Sequence, residues 1–165
     1  MAATYEPIST QTLSNSTTQT VTFSNIPGTF TDLILVVNGG MDTATGYTIA
    51  IRINSDTGSN YSDTRLYGNG STVTSDRHSN ATMMYLGVPA KQTLNGNHIL
   101  QFLNYANATT YKTVLSRDND ASVILFANVG LWRSTATITS ISASPEFTAN
   151  WYSGTTFSLY GVKAA

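Results

Sequence analysis

The chain has 165 residues, only 10% of them charged, with a formal net charge of −1 and a pI of about 6.0. That is enough length for one domain with its own core. The charge leaves no basic footprint for nucleic acid, no apolar run reaches the roughly 18 residues of a membrane helix, and the absence of cysteine removes disulfides and thiolate metal sites. Ser, Thr and Asn make up roughly a third of the chain. These residues hydrogen-bond their own backbone and favour turns and sheet edges over helix interiors. The result is a neutral, hydrated surface, suited to a component of an assembly or to a protein that works outside a cell.

Residues 1–19 are polar, with Tyr5, Pro7, Ile8 and Leu13 as the sizeable apolar groups. They are too sparse to bury alone. Two readings stand: an edge strand on its own domain, or an extended arm that pairs with a neighbouring subunit by strand addition. The domain division that follows is an arm over 1–19 and a single sandwich over 20–165. Met1 to Pro7 lacks the basic and apolar regions of a secretory signal, so synthesis in a cytoplasm is expected, with retention there or release by lysis.

Beyond residue 19, strand signals recur and helix signals are almost absent. Thr20–Phe23 alternates cleanly, and Asp32–Val37 is apolar on both faces, as in a central strand. Tyr47, Ile49, Ile51 and Ile53 share a face. Further runs are Thr64–Tyr67, Thr82–Leu86, His98–Tyr105, Tyr111–Leu115, Ser122–Trp132, Ala136–Ser142 and Thr155–Val162. Turn clusters such as Asn25-Ile-Pro-Gly28, Asn38-Gly-Gly40, Gly68-Asn-Gly70 and Asn95-Gly-Asn97 separate them. About ten short strands without a fixed repeat predict an all-β fold, an antiparallel β-sandwich or jelly roll. The last strand, Phe157 to Val162, is expected to insert between others and close a sheet.

No catalytic constellation emerges. His78 falls in a segment read as a loop, Ser75–Asn80, and His98 opens an apolar strand. The Asp residues, among them Asp42, Asp56, Asp63, Asp76, Asp118 and Asp120, are read as turn residues capping backbone amides. Asn54–Ser62 spaces oxygen groups like a calcium loop, but Arg65 stands where the bidentate glutamate is required, so an Asx-capped turn is the better reading. No enzyme activity, metal site or cofactor is expected. Tyr61, Tyr67, Tyr85, Trp151 and Tyr152 lie in or beside loop-like segments. Rings placed there can stack on sugars or anchor a protein interface.

Several stretches together resemble a known family. They are Tyr5-Glu-Pro-Ile-Ser9, Val21-Thr-Phe-Ser-Asn-Ile-Pro27, Thr31-Asp-Leu-Ile-Leu35, Leu66-Tyr-Gly-Asn-Gly-Ser71, Tyr111–Arg117, Val129-Gly-Leu-Trp-Arg-Ser134 and Phe157-Ser-Leu-Tyr-Gly161. With Asn54–Ser62 they look like a small β-rich virion domain of tailed bacteriophages, frequent among phages of cyanobacteria and other aquatic bacteria. The resemblance spans nearly the whole chain and brings no set of active-site residues. It implies a virion protein made in the host bacterial cytoplasm. One function is a capsid decoration (cement) protein, a homotrimer on the capsid exterior that binds the major capsid protein where capsomers meet. Tyr5, Pro7, Ile8 and Leu13 would then be its interface residues. The alternative is a tail-fibre or receptor-binding module whose loop aromatics recognise host surface glycan.

Overall fold

The computed structural model describes residues 4–43, 48–87, 96–120 and 124–163. Tyr47, Asn95, Ser122 and the first three residues of the expected arm lie outside that set. Among the described residues the chain forms twelve strands and no helix. In chain order they are β1 (Tyr5–Thr12), β2 (Val21–Phe23), β3 (Asp32–Gly39), β4 (Ile49–Ile53), β5 (Tyr61–Gly68) and β6 (Val73–Ala81). They continue with β7 (Met84–Leu86), β8 (Gly96–Leu103), β9 (Lys112–Asp120), β10 (Ile124–Trp132), β11 (Ile141–Pro145) and β12 (Thr156–Val162).

Every pairing between these strands is antiparallel, in two sheets that make the expected β-sandwich. The large sheet runs β1-β12-β3-β8-β9-β10-β5-β6 and the small one β2-β11-β4-β7. As the periodicity of its sequence predicts, β12 is inserted between β1 and β3. The core lies between the sheets. Leu33, Leu35 and Val37 of β3, Leu100 and Phe102 of β8, and Phe157 and Leu159 of β12 are fully buried, as are Ile49, Ile51 and Ile53 of β4. Each such side chain contributes roughly 1.5–3 kcal/mol by leaving water.

Two strands exceed the sequence expectation. The first is β1. The segment from Thr4 to Thr18 is held by its own domain and does not extend as an arm. β1 pairs with β12 along its length, Lys163 N–H donates to Thr4 O, Gly154 N–H to Leu13 O and Trp151 N–H to Thr18 O. Ile8 and Leu13 pack against the core. The edge-strand reading therefore holds: β12 takes one side of the β1 backbone, and the other side is the open edge of the sheet.

The second is β6, which contains the expected loop around His78. It alternates no apolar residues because it is the outermost strand of a sheet wider than its partner. Polar cross-strand pairs hold it instead. Arg65 of β5 binds Asp76 through two parallel hydrogen bonds of 2.7 and 2.9 Å, and these bonds hold the Asp76 carboxyl below its ordinary value of 3.8. Asp63, Asp76, Asp118 and Asp120 thus lie on strands and not in turns.

Candidate interaction surface

The register assigns every strand residue of the large sheet to one of its faces. One row on the outer face reads Tyr160, Ile34, Gln101, Leu115, Val129, Thr64 and Arg77 from β12 to β6. The next reads Ser158, Val36, Ile99, Arg117, Ala127, Leu66 and Ser75, and beside it stand Leu125, Gly68 and Val73. Where solvation alone would favour polar side chains, Leu66 is 53% exposed, Leu125 61% and Leu115 44%. Strands β3, β8 and β10 carry apolar residues on both faces, yet only their inner face is covered by the small sheet. An exposed apolar surface of this kind is a candidate interaction site. Two shallow clefts indent it. One is lined by Ile99, Gln101, Leu115, Arg117 and Ala127. The other is lined by Leu66, Gly68, Val73, Arg117, Leu125 and Ala127.

The inner face carries a buried polar cluster instead. Asp118 is fully buried; its Oδ1 lies 3.3 Å from Nδ1 of His98, while Oδ2 accepts from Ser116 Oγ at 2.7 Å and Asn128 Nδ2 at 2.6 Å. The carboxylate stands between hydroxyl and imidazole, so serine is bonded to aspartate and not to the histidine that would activate it. The cluster ties β8, β9 and β10 together.

The Asn54–Ser62 segment is an Asx-capped turn. Asn54 and Ser55 take positive φ of 50° and 56°, and Asp56 N–H donates to Ile53 O. The oxygens that a cation would need already have protein donors. Asp56 accepts from Gly58 N at 2.8 Å, Asn60 Nδ2 at 2.9 Å and Trp132 Nε1 at 2.7 Å. The indole bond, aided by the two amides, holds the Asp56 carboxyl below 3.8. Asn54 Oδ1 accepts from Thr139 N and Ser140 N.

The structure separates the aromatics expected to form a contact surface. Tyr61 is fully buried, stacked on Trp132 with its hydroxyl satisfied by the backbone of Ile53. Burial pushes its pKa up to about 12. Trp151 is also buried, edge-on to Phe157 at 4.9 Å. Both rings belong to the core: Tyr61 opens β5, and Trp151, in the connection between β11 and β12, is held by an isolated bridge to Met41. Tyr67 lies half-buried against Phe126, Tyr85 half-buried against His78, and Tyr152 half-buried near Gly40. Of the expected interface residues, Tyr5 and Pro7 are exposed, and the register places them beside Val162 and Tyr160 on the outer face. Ile8 and Leu13 are partly buried against the protein's own core. In comparisons with known proteins, no family model, no curated protein and no solved structure matches this chain.

Proposed function

We propose that this chain is a capsid decoration protein of a bacteriophage, binding the major capsid protein through the outer face of its eight-stranded sheet and stabilising the shell. The observation that carries the reading is the apolar face itself. A sheet that leaves Leu66, Leu115, Leu125 and Val129 in water across neighbouring strands gains free energy when a partner covers them. The sparse charge supports packing into a dense repeated coat, and the resemblance of the sequence to phage virion domains points the same way. Tyr5 and Pro7 join this face in place of a clamping arm. A homotrimer at a capsomer junction would engage three such faces together, so modest single contacts sum to firm attachment. The glycan-binding alternative loses Tyr61 and Trp151 to the core.

The test is mechanical. Capsids assembled without the protein should rupture at lower temperature than complete ones, and adding the purified protein should restore the difference. Identical rupture with and without bound protein would remove the cement role.

A further inference from the structure

Arg117 projects from β9, the fifth strand of the large sheet, into the middle of the apolar outer face. Its cross-strand neighbours are Ile99 and Ala127, and it lines both clefts, which enclose about 440 and 390 Å³. The other described cations contrast with it. Arg65 is bound to Asp76, Arg133 to Ser62 and Asn80, Lys163 to Glu6, Lys112 to three carbonyls and Arg52 to Thr82 O. Among the described residues, Arg77 and Arg117 are the cations whose side chains make no hydrogen bond or ion pair, and both stand on the outer face. Among the described residues, that face carries one acidic group in its ladder, Asp32, whose oxygens already accept from Gln101 Nε2 and Asn104 N.

A guanidinium between the apolar cleft at Leu66, Val73 and Leu125 and the mixed cleft at Ile99, Leu115, Ser116 and Asn128 is complementary to a carboxylate flanked by apolar side chains. We infer that Arg117 is the specificity contact of the docking face, and that its partner is a protein segment bearing Asp or Glu between two apolar residues. The apolar residues fill the clefts, and the carboxylate takes the guanidinium in a forked, charge-assisted contact. A nucleic-acid or anionic-membrane partner is disfavoured, since each demands several clustered cations. This inference rests on the docking-face reading above and names the chemistry that the face selects.

The test is selection from a displayed random dodecapeptide library on the immobilised full chain. Counter-selection uses the neutral double variant Leu66→Ser/Leu115→Ser, after its thermal midpoint is shown to match the parent. Peptides that need the apolar face should be enriched in a carboxylate flanked by apolar residues. A synthetic copy of the best should bind Arg117→Gln about tenfold more weakly, and Arg117→Lys by a smaller margin. Face-dependent peptides that bind Arg117→Gln as well as the parent would overturn the role of Arg117 and leave the docking face standing. Recovery of no face-dependent peptide would overturn the face and this inference together.

Discussion

Asp63 and His78 face each other across β5 and β6, with Asp63 Oδ2 2.8 Å from His78 Nδ1. The other carboxylate oxygen, Oδ1, accepts the backbone N–H of Tyr85 on β7 at 3.0 Å. One fully buried aspartate thereby joins the outermost ribbon of the large sheet to the edge of the small one.

Asp63→Ala should leave the Tyr85 amide without its acceptor and free the His78 ring. The expected loss is about 2–4 kcal/mol in denaturant unfolding. Asp63→Asn keeps an acceptor for Tyr85 and should cost less. An unchanged midpoint for Asp63→Ala would show that the ribbon is held by other contacts.

Asp56 gives the protein an acid-sensitive element. Its folded pKa lies below the ordinary 3.8 because Trp132, Asn60 and Gly58 donate to it. As pH falls past about 4 the unfolded state takes up this proton first, so the contribution is complete above that range and is lost as pH drops through the folded value. Asp76, held down by Arg65, adds in the same direction. Asp56→Asn should therefore flatten the acid limb of the stability curve, followed by the fluorescence of the two buried tryptophans, Trp132 and Trp151. Parallel acid limbs for variant and parent would contradict the assignment.

Gly161 marks where β12 passes under an aromatic ring. A Cβ built there would stand 2.3 Å from the Phe30 ring. Gly161→Ala should cost about 1–3 kcal/mol through overpacking, and Phe30→Leu in the same chain should recover part of that loss. Purely additive effects of the two substitutions would rule out the contact as the cause.

The termini should respond unequally to truncation. Ending the chain before Thr155 removes β12, with buried Phe157 and Leu159, from between β1 and β3. Cooperative unfolding should disappear. Deleting the first twelve residues removes only an edge strand and should lower the thermal midpoint while leaving a cooperative transition. Calorimetry distinguishes the two outcomes, and equal tolerance of both deletions would show β12 to be dispensable.

The interior strands were legible from pattern: β4 and β12 stand out by their alternation, and β3 by an unbroken apolar run. β1 was legible only as one of two readings, since its few apolar groups fit an edge as well as an arm. β6 was hidden, because Val73–Ala81 has no apolar face and is held by polar pairs with Arg65 and Asp63 of the preceding strand, which hydrophobic period does not reveal. The outer face was hidden for the opposite reason. Apolar residues on both sides of β3 and β10 read as burial on both sides, and period alone does not separate a covered face from one awaiting a partner. Asp56 was read correctly because its turn is local. Tyr61 and Trp151 were misplaced because polar neighbours in sequence conceal core positions in space.

The most direct measurement concerns the outer face. Capsids lacking the protein are incubated with parent or with Leu66→Ser/Leu115→Ser protein, and bound copies are counted after sedimentation. Loss of occupancy by a variant that keeps the parent's thermal midpoint is the predicted result; full occupancy would contradict docking through this sheet.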